Sequence, residues 1–219
     1  MPLRHEPNVA TAAWFATSTA PWRQVCSIGP SGFEQYGRLF HPLRNGADKD
    51  DPDSLMDIEG HLDDADLGHL IAILARHTST PQDCFFGLWE GFGDIHGSPA
   101  VGFFAGRGRH PLDIPPAFPP EVLTGPRVEI PGRRYFLFRG RLDHAGHWGA
   151  EDMAPGCPRP INSPNLMWPA DHAWFVATEI DLPWTGVAGT TELLSDLMAD
   201  HALDTELVTP GANLPYCRP

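Results

Sequence analysis

Two groups of residues in this chain have types and spacing suited to chemistry. The first is Asp143, His144 and His147. Two imidazoles and a carboxylate can hold zinc or iron while leaving positions open to water, as a metal-dependent enzyme requires. Their HAGH run contains a glycine, belongs to a loop and fixes no third ligand. The sequence therefore assigns no metal and no cofactor. The three residues stand as the site of an alternative reading, a small-molecule or metal-dependent enzyme. The second group is the acids that close aromatic stretches: Glu90 at the end of CFFGLWE, and Glu179 and Asp181 at the end of WFVATEID. An acid that ends a buried strand sits at the rim of the sheet, where a binding surface also sits. With Trp168 and Trp174 these acids are read as an acidic, aromatic binding face.

Such a face fits the overall charge. Fifteen basic against 28 acidic residues give a formal net charge of −13, which repels polyanions and excludes general nucleic-acid binding. Its ordinary meaning is solubility; the sharper reading is an acidic face that captures a basic protein partner by charge complementarity. Three further motifs fail their tests. The run from Asp48 to Asp53 is interrupted by Lys49 and Pro52 and lacks the glycine a calcium loop turns on. The basic island GRGRH, Gly106 to His110, lacks the lysine and the strand-to-helix setting of a phosphate-binding loop. Cys26, Cys84, Cys157 and Cys217 are scattered with no C-x-x-C pair, as expected of thiols in a reducing compartment. No segment has the run of about 20 apolar residues needed to span a bilayer, and Val9 to Trp22 is a poor signal-peptide core. The expectation is a cytoplasmic protein without membrane contact.

The elements that position these residues can be read from periodicity. Trp174, Val176, Thr178 and Ile180 alternate with Phe175, Ala177, Glu179 and Asp181, the pattern of a strand whose second face begins apolar and ends acidic. Leu182-Pro183 ends it, Thr185 to Ala188 allows a second strand, and Thr190 caps a helix carrying Leu193, Leu194, Leu197 and Met198. Asp63 to His77 predicts a helix with the stripe Leu67, Leu70, Ile71 and Leu74, acids in its first turn and Arg76 and His77 in its last. Ser31 and Glu34 have the spacing of a capping box, which predicts another helix carrying Phe33, Tyr36, Leu39 and Phe40. Cys84 to Glu90 and Tyr135 to Arg139 read as strands, and Glu206 to Val208 as a final one. Arg133, Arg134, Arg139 and Arg141 flank the Tyr135 strand, and pair with Glu179 and Asp181 if the strands are neighbours.

Two passages, GPSGFEQYGRLFHP and SPNLMWPADHAWFVATEIDLPWTGVAG, with FFGLWEGFG between them, resemble a group of functionally uncharacterised bacterial proteins of single-domain α+β fold. That resemblance implies a fold and carries no catalytic residue. The ending WFVATEIDLPWTGVAGTTELLSDL is more distantly similar to the close of SUKH-superfamily domains, α+β proteins that often act as immunity proteins against bacterial toxins. The resulting expectation is one α+β domain over 1–219, with a mostly antiparallel sheet and amphipathic helices packed on one face. Long Pro/Gly-rich loops are expected at about 91–126 and 142–165. The functional expectation is a non-enzymatic, immunity-like inhibitor of a basic protein, bound through Glu90, Trp168, Trp174, Glu179 and Asp181.

Overall fold

The computed structural model describes residues 2–43, 58–103 and 109–211. The acidic run from Asp48 to Asp53, Cys217 and the start of the GRGRH island lie outside them. Among the described residues the chain forms an α+β fold around a nine-stranded sheet in which every pairing is antiparallel. Its strands are β1 (Arg4–His5), β2 (Gln35–Phe40), β3 (Cys84–Trp89), β6 (Val128–Ile130), β7 (Arg133–Gly140), β8 (Leu166–Pro169), β9 (Phe175–Thr178), β10 (Trp184–Gly189) and β11 (Thr205–Val208). Their order is β1-β7-β3-β8-β9-β10-β2-β11, with β6 also on β7. A separate hairpin pairs β4 (Ser98–Phe103) with β5 (Arg109–Ile114). The short helices are α1 (Ala13–Ala16), α2 (Trp22–Ser27) and α4 (Pro120–Leu123); the long ones are α3 (Asp64–Leu74) and α5 (Thr191–Ala199).

The alternation of side chains along the strands builds two apolar layers. Phe86, Leu88, Phe136, Phe138, Met167, Val176 and Val187 face the layer that buries Leu67, Leu70 and Leu74 of α3 and Leu193, Leu194 and Leu197 of α5. The two amphipathic helices therefore share one face, as their stripes require. Both are capped as expected: the Asp63 carboxylate accepts from the Asp66 N–H at 2.8 Å, and the Thr190 hydroxyl from the Leu193 N–H at 3.2 Å. Phe85, Tyr135, Leu137, Trp168, Phe175, Ala177 and Trp184 face the other layer, which is closed by the N-terminal segment through Phe15 of α1 and Val25 and Cys26 of α2.

The helix expected from Ser31 is instead strand β2. Tyr36 faces the N-terminal layer and Leu39 the helical one, and Gly37 lies where α5 crosses the sheet. A Cβ at Gly37 would stand 2.8 Å from Leu194 Cδ1 and 3.1 Å from the Glu206 carbonyl oxygen, so only glycine lets helix and edge strand close on it. Glu34, read as half of a capping box, accepts from the Thr191 N–H at 2.9 Å and so helps cap α5. Strand β8 had no signal of its own, since it is short and ends in Pro169. Its neighbour Asn165 ties the sheet at that end: the buried amide accepts from the Trp89 N–H at 2.8 Å and donates to the Thr178 carbonyl at 3.0 Å, joining β3 to β9. No helix among the described residues is long and apolar enough to cross a membrane.

Candidate functional site

The alternation that buries Phe175 and Ala177 carries Glu179 onto the face covered by α2. Helix α2 meets that face closely. A Cβ on Gly186 would stand 2.0 Å from the Ser27 carbonyl oxygen, and one on Gly29 3.0 Å from Phe175 Cδ1, so the C-terminal end of α2 rests directly on β9 and β10. Between α2 and the β9–β10 turn lies a cleft of about 500 Å³ lined by Trp22, Arg23, Arg133, Glu179, Asp181 and Trp184, among others. It has the size and mixed polar and aromatic lining of a ligand site.

The polar floor is a three-residue ion cluster. Arg133 donates through Nε to Glu179 Oε1 at 2.9 Å and through Nη2 both to the same oxygen and to Asp181 Oδ2, the latter at 2.7 Å. Arg133 belongs to β7 and the acids follow β9, with β3 and β8 between them in the sheet. The pairing imagined for neighbouring strands thus forms across the sheet end. Glu179 is 8 % exposed and its second oxygen, Oε2, is buried without a partner. Burial pushes its carboxyl above the usual carboxylate range, against the opposing pull of Arg133. Asp181 is 71 % exposed at the mouth of the cleft. Beside it, burial and then the Asp181 charge raise the Glu59 carboxyl.

Two tryptophans complete the walls. Trp22 carries Arg23 over its ring at 4.9 Å and lies 5.9 Å from the Arg133 guanidinium. Trp184 is buried, with Arg38 5.4 Å from its ring, and its indole Nε1 has no hydrogen-bond partner. Under the floor, Tyr135 donates to Cys26 Sγ at 3.5 Å, and burial pushes that thiol up to about 11, which leaves it inert as a nucleophile.

The other expected site residues are placed differently. Glu90 accepts from Arg127 Nε at 3.1 Å and pairs with Arg134 at 3.0 Å, in a separate depression beside the β6–β7 turn. It does not join the Glu179 cluster. Trp168 and Trp174 expose no surface and lie in opposite layers of the core. Trp168 stacks on Phe85 at 5.3 Å; Trp174 donates to the Leu74 carbonyl at 3.1 Å and so anchors α3. Neither lines the cleft, whose aromatic residues are Trp22 and the buried Trp184. Asp143 has both oxygens engaged by Arg141, at 2.8 and 2.7 Å, and stands 3.9 Å from His144. The rings of His144 and His147 lie 6.2 Å apart. Among the described residues no group of three or more His, Cys, Asp or Glu is placed to hold a metal ion.

Fold and site together describe an antiparallel α+β protein with a tryptophan-lined cleft at one end of its sheet, in which Glu179 and Asp181 face Arg133 and Arg23. No family model matches the chain, and no curated protein or solved structure is significantly similar to it.

Proposed function

We propose that this chain is a binding protein whose cleft takes a basic side chain from a protein partner, in the manner of an immunity-type inhibitor. The observation that carries the reading is Glu179: a carboxylate nine-tenths buried at the floor of a tryptophan-walled cleft, with Oε1 held by Arg133, a weaker pull from the Ile180 N–H, and Oε2 without a hydrogen bond of ordinary geometry. A buried acceptor without a donor is costly, and a guanidinium or ammonium group that displaces the lining over Oε2 supplies the missing donor as a charge-assisted bond. Asp181, at the mouth, meets the same cation on its way in, and Trp22 offers it a ring face. The formal charge of −13 speeds the approach of a basic partner and repels acidic ones.

The test is a calorimetric titration with short arginine-containing peptides, each compared with its citrulline twin of equal shape and no charge. The expected result is saturable binding of the arginine peptide alone, weakened about tenfold by Glu179→Gln and less by Asp181→Asn. Equal binding of the two peptides, or binding unchanged by Glu179→Gln, would remove the cleft from the function.

A further inference from the structure

We propose that His41 is a positioning residue for this cleft, and that its protonation loosens the turn that carries Glu179 and Asp181. The inference rests on the cleft reading only for its consequence on ligand binding; the structural device stands on the following geometry.

His41 follows β2 and is buried beneath the β9–β10 turn. Its backbone N–H donates to the Pro183 carbonyl at 2.9 Å, in the middle of that turn. Its ring spans two further elements: Nδ1 lies 2.6 Å from the Ile58 carbonyl oxygen and Nε2 lies 2.8 Å from Thr185 Oγ1, which in turn lies 2.9 Å from Thr178 Oγ1. Thr178 and Thr185 are the residues at which β9 enters, and β10 leaves, the segment holding Glu179, Asp181 and Trp184. The segment after Ile58 clamps the same turn from outside. Gly60 N–H donates to the Leu182 carbonyl at 3.1 Å, and a Cβ at Gly60 would stand 2.7 Å from Ile180 Cα. Removing either hold on the ring frees backbone that positions the cleft's acids.

The protonation state follows from the partners. A carbonyl oxygen can only accept, so Nδ1 carries the proton and Nε2 is the acceptor of the Thr185 hydroxyl, which accepts from Thr178. This chain of donors is complete with a neutral ring. A proton added at Nε2 turns it into a donor. Thr185 must then rotate its hydroxyl toward Thr178, and Thr178 loses its acceptor. Among the described residues no carboxylate bonds the ring to offset the new charge. The charged groups that act on it are His61 and Asp63, both on the segment after Ile58, while β9 and β10 present only the two hydroxyls. Burial is the main cause that lowers the ring to about 4, from the ordinary 6.5. A local opening that returns the ring to water restores the ordinary value, so opening is favoured as pH falls. Between pH 7.5 and 5.5 linkage makes the opening equilibrium about tenfold more favourable.

The experiment needs no ligand and therefore separates this device from the cleft reading. Amide hydrogen exchange of Gly60 and His41, corrected for intrinsic rates, is compared at pH 7.5 and 5.5 in the wild-type chain and in His41→Asn, whose amide can still donate to the Ile58 carbonyl but cannot titrate. The expected result is a loss of protection of about tenfold in the wild type and less than twofold in H41N. Protection unchanged in the wild type, or lost equally in H41N, overturns the proposal. If H41N does not fold, the wild type alone decides. The loss must then set in as pH falls through the ordinary histidine value of 6.5 and level off where the native ring itself titrates, near 4, read from its Cε1–H resonance; a loss with a different pH course overturns the proposal.

Discussion

The two faces of the sheet are covered by chain of opposite character. On one, α5 lies over β2 and β10 and packs against α3, Phe118 and Trp148 cover Phe138, and Trp174 locks α3 through the Leu74 carbonyl. On the other, α1, α2 and irregular chain place Phe15, Val25, Cys26 and Ile28 over Phe175, Trp168 and Ala188. Two regular helices, completed by Phe118, Leu142 and Trp148 from the connecting chain, close their face. A short helix whose C-terminal end touches the sheet at Gly186 and Phe175 leaves a wedge beside it, and that wedge is the cleft. The lesson is that the better-packed cover contributes stability, while the less regular one leaves room for a ligand.

That contrast can be broken or sharpened by experiment, beginning with the largest effect. Trp174→Ala on the helical face removes a fully buried indole and its bond to α3 and should cost about 3–5 kcal/mol, read as a lower urea midpoint. Peptide binding by whatever fraction remains folded should be unaltered. Gly186→Ala on the cleft face forces a methyl group to within 2.0 Å of the Ser27 carbonyl and should cost about 2–3 kcal/mol. Here, in contrast, the folded fraction should lose peptide binding, because α2 is a wall of the cleft. Equal loss of binding in both variants would mean that the two covers are not independent.

Acidification should act next. The folded pKa of His41, about 4, lies below its ordinary 6.5, so the associated stability is fully present above pH 6.5 and is lost as pH falls toward 4. The loss is roughly 3 kcal/mol at most. Glu179 has the opposite sign: its raised carboxyl binds a proton more readily folded than unfolded and offsets part of that loss at the acid end. Denaturant midpoints measured across this range should fall in the wild type and fall less in H41N. The smallest effect is Thr190→Ala, which removes the α5 cap and should cost about 1 kcal/mol with no change in the cleft.

How much was legible follows the same division. Helices α3 and α5 could be read because stripe, cap and first-turn acids agreed with one another. The stretch from Phe33 to Phe40 fits a helical stripe equally well as a strand, and burial on both faces of β2, with Gly37 under Leu194, decided against the helix. Glu179 and Asp181 were visible as acids ending an aromatic strand, and the alternation even gave the face they occupy. Of their partners, Arg133 was among the arginines the sequence offered them, although its strand proves to be no neighbour and two strands lie between β7 and β9. Trp22 was not legible, since it reaches the site from a six-residue helix without a periodic signal. Trp168 and Trp174 were read as the aromatic part of the binding face, and neither is exposed, because each points into one of the two apolar layers on either side of the sheet, which their residue type does not reveal. His41 gave no sign at all, since its role depends on Thr185, Thr178 and Ile58, which only the fold brings to it.

The central claim, that the cleft beside α2 receives a cationic group, is tested most directly by the tryptophan indole N–H resonances during titration with an arginine-containing peptide. The account expects the Trp22 and Trp184 signals to shift saturably while those of Trp168 and Trp174 stay in place, and expects both shifts to be lost in Glu179→Gln. Unmoved Trp22 and Trp184 signals at saturating peptide, or shifts that persist unchanged in Glu179→Gln, would contradict it.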